Sequence, residues 1–458
     1  MKHAKVTPIY KTDDKLLVNN YRPISILPVF SKILEKLMHK RLMSFFIDKY
    51  NLICDNQYGF REKHSTYMAV LNILEQISAE MDKKKYSLGI FLDLSKAFDT
   101  IDHSRLLKKL ENYGVRGNAL NWFSSYLAAR TQCVSIGLSV SESSIITCGV
   151  PQHAQGSVLG PALFIIYIND IVASSSLLKF ILFADDTNLF ASHNNLGELI
   201  KIVNNELEKV SNWLKINKLS LNIKKTHFVI FHFRQKRIDQ VVNIKIDDKN
   251  IDQVTSTKFL GVIINENLTW SDHINVLLNK TNKSLGVIRK LSRTLPDDVL
   301  FTLYNTLIKP YLEYCNIAWA TNNTVDFNNL SRMQKKAVRI ITHSKWNSHS
   351  APLFKEKGIL TLRDMHTLQI AMFVYRATHD MLPSSFNYFF NLNMHIHEHH
   401  TRNYDDIHII RCNTKLRSSC VKIYGAKIWN SIPVIIRTVQ SIHIFKRKFK
   451  SHLLNMYF

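Results

Sequence analysis

Four residues constrain this chain more than any others: Phe183-Ala184-Asp185-Asp186. They stand between Phe180-Ile181-Leu182 and Leu189-Phe190-Ala191, so two adjacent carboxylates interrupt an apolar, strand-prone run. A buried ionised carboxylate needs a compensating charge, and in a catalytic site a metal ion is the usual one. The other reading is a β-turn with both aspartates in water. A second run, Ser87-Leu88-Gly89-Ile90-Phe91-Leu92-Asp93-Leu94, favours the first, because it is also a strand that carries a lone Asp. Two strands that bring Asp93 to Asp185 and Asp186 can hold a pair of Mg²⁺ ions through hard oxygen donors. A pair of ions about 3.5–4 Å apart suits in-line displacement at phosphorus.

Charge points the same way. The chain has 458 residues, 60 Lys and Arg against 36 Asp and Glu, and a formal net charge of +24. Such an excess predicts a polyanionic partner, nucleic acid before an anionic membrane; a merely soluble basic protein is the alternative. The six Cys at 54, 133, 148, 315, 412 and 420 form no CxxC pair, which argues against a disulfide framework or a zinc ribbon and fits a reducing intracellular compartment. Met1-Lys2-His3-Ala4-Lys5 lacks a signal-peptide core. Apolar runs such as Leu163-Phe164-Ile165-Ile166-Tyr167-Ile168 are too short to span a bilayer, so no membrane partner is expected.

Along the chain, residues 5–27 read as a basic hairpin and 31–50 as a helix with Ile33, Leu34, Leu37, Leu42 and Phe45 at helical spacing. Ser65-Thr66 opens a helix to about Met81, and Ser104–Asn112 is another, with Asp99 and Asp102 in its turn and cap. Residues 132–136 and 144–147 pair as a hairpin. Asn194–Lys215 is an amphipathic helix, and 226–233 and 241–246 are strands. After Trp270 the texture turns helical: 272–291 with Ser271 as N-cap, 297–319, 328–343 and 362–378. His395, His397, His399 and His400 have no spacing that suits a tetrahedral metal site. From Thr401 to Phe458 there are eleven Lys and Arg against two Asp and Glu, which predicts backbone contact with RNA or DNA.

Seven boxes then fall in order: Asn20-Tyr21-Arg22-Pro23-Ile24-Ser25; Gln57-Tyr58-Gly59-Phe60-Arg61; Leu92-Asp93-Leu94-Ser95-Lys96-Ala97-Phe98-Asp99; Gly149-Val150-Pro151-Gln152 with Gly156-Ser157-Val158-Leu159-Gly160-Pro161; Phe183-Ala184-Asp185-Asp186; Leu221-Asn222 with Lys225-Thr226; and Phe259-Leu260-Gly261-Val262. In this order they resemble the reverse transcriptase of non-LTR retrotransposons, of the jockey-like kind, over roughly the first three-fifths of the chain, with weaker similarity to the end. The resemblance implies an α+β right-hand polymerase. Fingers and an antiparallel palm would occupy 1–265, a helical thumb 266–345 and a basic, mostly helical nucleic-acid-binding region 346–458.

It also implies roles. Asp93 and Asp185 would bind two Mg²⁺ ions, with Mn²⁺ as a substitute, and Asp186 would support them. Lys11 and Arg22 would hold the triphosphate of the incoming dNTP; Arg suits this through its bidentate fork. Phe98 would lie under the sugar and exclude a 2′-OH. Lys225 would help pyrophosphate leave, or is a surface charge beside Lys224. Arg61 would touch the template or pair with a helix carboxylate. The hairpin at Phe259-Leu260-Gly261-Val262 would grip the primer. Partners would be an RNA template, a DNA primer or target and dNTPs, with integration in the nucleus.

One departure stands out. The family's Pro-Gln-Gly-Ser is interrupted here by three residues, either His153-Ala154-Gln155 or Gln152-His153-Ala154. The glutamine and glycine of the base-pair pocket would thus be Gln152 or Gln155 and Gly156. A misplacement of about 1 Å can cost 100-fold in rate, so the alternative function is a decayed or domesticated relative that binds RNA or DNA without polymerising. The finger motifs begin near Lys11 and no ribonuclease H segment is visible, so the chain reads as a piece of a longer endonuclease-containing protein.

Overall fold

The computed structural model describes residues 2–11, 14–150, 157–236, 238, 242–320, 325–396 and 404–457. The N-terminal part begins with β1 (His3–Tyr10), β2 (Tyr21–Ile26), α1 (Val29–Met43) and α2 (Thr66–Asp82). It continues through β3 (Tyr86–Leu92), α3 (His103–Asn112), α4 (Asn118–Leu127), β4 (Arg130–Ile136), β5 (Ser139–Val140), β6 (Ser144–Ile146) and α5 (Leu159–Ile168). Then come β7 (Lys179–Phe183), β8 (Asp186–His193), α6 (Leu196–Ile216), β9 (His227–Phe231) and the short strands β10 (Lys245–Ile246), β11 (Lys249–Asn250) and β12 (Asp252–Gln253). The hairpin β13 (Ser256–Phe259) and β14 (Val262–Asn265) closes this part.

The sheet expected as the palm has five strands in the order β12-β9-β3-β8-β7; β3 is antiparallel to both β8 and β9, and β12 runs parallel to β9. Strand side chains alternate between faces, and both faces of β3 are covered. Leu88, Ile90 and Leu92 enter one core with α5 and α6, while Phe91 enters the other with α2. Gly89 leaves room for its neighbours: a Cβ there would stand 2.7 Å from the Phe190 ring and 2.9 Å from that of Phe231. All ten residues of α5 are buried, so the apolar run too short for a membrane is a core helix. A second sheet, β2-β1-β4-β5 with β6 on β4, carries the expected basic hairpin and the expected 132–147 pairing. Asp102 caps α3 by accepting from the Arg105 N–H at 2.9 Å.

The helical part comprises α7 (Ser271–Leu291), α8 (Asp297–Leu307), α9 (Lys309–Glu313), α10 (Asn316–Trp319) and α11 (Val325–Ile341). It is followed by α12 (Ser350–Glu356), α13 (Leu362–Thr378), α14 (Lys415–Ser418), α15 (Val421–Ser431), α16 (Val434–Arg437) and α17 (Ile442–Asn455). These helices share one apolar core with α2 and one face of the palm. Polar ties reinforce the seam. Arg417 is ion-paired with Glu75, and the N–H of Asn413 and the hydroxyl of Thr414 donate to Asp82. Arg376 donates to the Tyr67 hydroxyl at 2.8 Å. Trp429, Phe445 and Phe449 of the basic tail are buried in this core. Among the described residues no helix is long and apolar enough to cross a membrane.

Four expectations change in detail. Helix α1 forms, but Ser31, Glu35 and Leu42 face inward while Ile33, Leu34 and Leu37 are exposed. The buried stripe is set by Glu35, which reaches another element, and not by hydrophobicity alone. The 297–319 helix is three helices, broken around Ile308-Lys309-Pro310 and at Cys315, whose φ is +49°; proline cannot donate to the preceding turn. Ser271 is the first helical residue of α7, so the N-cap position falls to Trp270 at φ +66°, whose side chain accepts no capping hydrogen bond. Of the strand expected at 241–246, only Lys245–Ile246 forms among the described residues.

Candidate active site at the end of the palm sheet

The register of the palm brings the carboxylates together. Strand β3 ends at Leu92, opposite Thr187 on β8, so Asp93 follows on beside Asp186. Strands β7 and β8 are joined by a two-residue turn, Ala184-Asp185, closed by the pair Phe183↔Asp186. Ala184 takes φ +56°, a conformation unfavourable for a residue with a Cβ.

That turn is held from below by the Gln57 box. Gln57 is fully buried, at 0% exposure. Its Oε1 accepts from the Ala184 N–H at 3.0 Å and from the Gly59 N–H at 2.8 Å. Tyr58 N–H donates to the Leu182 carbonyl at 2.8 Å, and Leu182 N–H donates to Asn56 at 2.9 Å. Gly59 has to be glycine here, since a Cβ would stand 2.4 Å from the Ala184 nitrogen. Arg61 donates to the carbonyls of Cys54 (2.8 Å) and Gln57 (3.3 Å), so it fastens this loop to itself.

Asp93 is fixed through its backbone. Its N–H donates to Thr226 Oγ1 at 3.3 Å, and its carbonyl accepts from the Asn222 N–H at 2.8 Å. The Asn222–Thr226 loop therefore lies along Asp93 and carries Lys225 with an exposed side chain. Phe98 is half-buried and stacks on Phe164 of α5 with ring centroids 4.4 Å apart. Its carbonyl accepts from the Val150 N–H at 2.9 Å, and Gly149 N–H donates to Ile101 at 2.8 Å. Past the interrupted box, Val158 N–H donates to Glu35 at 2.8 Å, and the Tyr126 hydroxyl donates to the same carboxylate at 2.7 Å. The interruption thus falls between two pinned flanks. Gln152, Gln155, Gly156 and the inserted residues themselves lie outside the described residues, as do His397, His399 and His400.

Electrostatics bind the parts into one site. Asp185 and Asp186 are both exposed at the turn, as the alternative reading of this stretch expected, yet neighbouring protein atoms desolvate their carboxyls. Burial, then the neighbouring charge of Asp93, raises the Asp185 carboxyl, while Arg22 and Lys11 lower it. Asp186 is pushed up to about 6 by burial and by Asp185 and Asp93. Lys11 and Arg22 of the β1–β2 hairpin thus lie within electrostatic reach of Asp185. As placed, no three acidic, His or Cys side chains among the described residues form a ready metal cage. The donor set nevertheless fits a divalent ion, because hard carboxylate oxygens that repel one another are what such an ion relieves.

The residues themselves pointed to Asp93, Asp185 and Asp186, and the family resemblance added Lys11 and Arg22; Asp93, Arg22 and Lys11 all lie within electrostatic reach of Asp185. It assigned no role to Gln57, Gly59 or Glu35. The available signal was a polar residue at a buried helical register for Glu35 and a Gln-x-Gly beside an aromatic for the loop.

A mainly antiparallel sheet with carboxylates at adjacent strand ends, beside a basic hairpin, is the palm arrangement of the right-hand polymerase class; it departs from the expected antiparallel palm only at β12, which runs parallel to β9. The family model described as Reverse transcriptase (RNA-dependent DNA polymerase) matches residues 9–264, and the chain belongs to that family. Its members use divalent metal ions. The chain is 26% identical over 353 residues to the probable RNA-directed DNA polymerase from transposon X-element of Drosophila melanogaster, covering 75% of this chain and 38% of that protein. It is 26% identical over 380 residues to the RNA-directed DNA polymerase from mobile element jockey of the same organism, covering 79% and 40%. The jockey-like resemblance read from the seven boxes is where these relatives fall. The chain spans about two-fifths of the length of these relatives. A solved structure of apo telomerase from Candida tropicalis aligns with TM-score 0.46 and 12% identity, over 78% of this chain and 61% of that one.

Proposed function

We propose that this chain is the polymerising part of a jockey-like retrotransposon protein, extending a DNA primer with dNTPs on an RNA template. The observation that carries the reading is the corner where Asp93, Asp185 and Asp186 meet, opposed by Lys11 and Arg22. Two Mg²⁺ ions held by Asp93 and Asp185, or Mn²⁺ in their place, would supply charge neutralisation at the reacting phosphate. Arg22 and Lys11 hold the triphosphate, with the Arg fork taking phosphate oxygens in pairs. Asp186 supports its two neighbours. The Phe98 ring, backed by Phe164, limits space beside the sugar. Lys225, beside Asp93 on its loop, supplies positive charge as pyrophosphate leaves. In this reading 1–265 are fingers and palm, 266–345 the thumb, and 346–458 a basic region that adds duplex contacts. Integration then takes place in the nucleus.

Primer extension by the purified chain on an RNA template, with Mg²⁺ and dNTPs, tests this against Asp185→Ala/Asp186→Ala. Extension lost in the variant supports the reading. The second reading, binding without polymerisation, is favoured by the three extra residues after Pro151. It predicts no extension by either protein alongside salt-sensitive RNA binding, and recovery of extension when His153-Ala154-Gln155 are removed would locate the fault.

A further inference from the structure

A cleft of about 660 Å³ opens between α8, α9, α13, α17 and the first turn of α2, and none of the three carboxylates lines it. Four cations converge there, Lys309, Arg376, Lys446 and Lys450, with one acid, Glu313. Glu313 already faces Lys309 at 3.7 Å. Among the described residues no carboxylate makes an ion pair with Arg376, Lys446 or Lys450. Burial and the charges of Lys309 and Lys446 lower the Lys450 ammonium, opposed only by Glu313. Cations gathered in a concave site repel one another unless an anion joins them.

The rest of the lining is wrong for a bare ion. Tyr67, Tyr314 and Met372 supply flat and polarisable surface beside the cations. Tyr314 is 43% exposed, and its hydroxyl donates to the Leu260 carbonyl at 2.6 Å. The cleft therefore abuts the β13–β14 turn. Its size lies within the range of about 300–1,000 Å³ usual for small-molecule sites. Bases stack on aromatic side chains whatever their sequence.

We propose that this cleft binds a nucleoside-phosphate unit, either a free nucleotide or the end of a single strand. The phosphate sits among Lys309, Lys446 and Lys450, and the base lies against Tyr67, Tyr314 or Met372. This site is separate from the palm and does not depend on polymerase activity.

The test is photocrosslinking of the full chain with two probes, 4-thio-dTMP and a 5′-phosphorylated pentanucleotide carrying 4-thiothymidine at its first position, followed by peptide mass spectrometry. Adducts on peptides containing Tyr67, Tyr314 or Met372 are expected. They should fall by about tenfold or more in Lys446→Glu/Lys450→Glu. Adducts from the monomer identify a free-nucleotide site; adducts from the pentanucleotide alone identify a strand-end site. Adducts confined to palm and fingers, or an unchanged yield in the charge-reversed variant, would overturn the proposal. A second readout uses the unaltered chain: unlabelled dTMP should displace the probes, and displacement by inorganic phosphate at equal concentration would reduce the cleft to an ion site and also overturn it.

Discussion

The corner that carries Asp93, Asp185 and Asp186 and the helical region after residue 345 are held together by opposite means. At the corner, like charges crowd one another, Ala184 sits at positive φ, and the turn depends on two hydrogen bonds to one buried amide oxygen. In the helical region, Trp429, Phe445 and Phe449 fill a core shared with α2, and the buried cation Arg417 is matched by Glu75. The first arrangement spends stability on a charge pattern; the second supplies stability to the first, since α2 lies between them. Strained or repelling groups persist where surrounding structure over-determines them. The basic C-terminal region, which carries no motif, is therefore part of what lets the palm keep its carboxylates together.

The largest way to break this contrast is Arg417→Ala. Removing one partner of a buried pair costs about 3–5 kcal/mol, so denaturant unfolding should show one transition at much lower midpoint, reported equally by palm and tail. Two separated transitions with an unshifted palm would mean the tail is an independent module. Gly59→Ala acts on the other side. The added Cβ meets the Ala184 nitrogen, and overpacking of this kind costs about 1–3 kcal/mol. Primer extension per folded molecule should drop by about 100-fold because the Asp185 turn moves. Stability loss with full activity would show that the turn tolerates displacement.

Phe98→Ala sharpens the site itself. If the ring limits space at the sugar, discrimination for dNTP over rNTP should fall by about 10–100-fold, measured as the ratio of kcat/KM values; an unchanged ratio would leave Phe98 as core packing on Phe164. The smallest effect is pH-dependent. The Asp186 carboxyl is raised from an ordinary 3.8 to about 6, so the folded metal-free protein holds its proton more tightly than the unfolded chain. That contribution is fully present below pH 3.8 and is lost as pH rises through about 6. Asp186→Asn should therefore raise the metal-free melting temperature at neutral pH, with the difference shrinking in acid. Extension should fall as pH drops below about 6, and added divalent metal should move that limb to lower pH.

Much of the palm was legible because its strands are continuous apolar runs and its carboxylates interrupt them, so Asp93, Asp185 and Asp186 announced themselves by being wrong for an apolar run. Lys11 and Arg22 required the fold to bring them to the carboxylates, yet they sat in a recognisable basic hairpin. Gln57 and Gly59 were not legible in role, since their meaning is a contact with Ala184 more than a hundred residues away. Glu35 misled the orientation of α1, because a carboxylate that caps the start of α5 outweighs three leucine and isoleucine side chains in choosing the buried face. The tail looked like a nucleic-acid arm from its charge. Its Trp429, Phe445 and Phe449 are core, while cations such as Lys446 and Arg447 are exposed.

The most direct measurement pairs two readouts on one substitution, Asp93→Asn: RNA-templated dNTP addition with Mg²⁺, and thermal unfolding without metal. The account predicts at least a 1,000-fold loss of addition, about what removal of a central charge-stabilising group produces, with a melting temperature equal to or above that of the unaltered chain because one of three repelling carboxylates is gone. Addition retained within about tenfold, or a loss accompanied by a clear fall in melting temperature, would contradict the claim that this corner is a catalytic charge cluster held against its own repulsion.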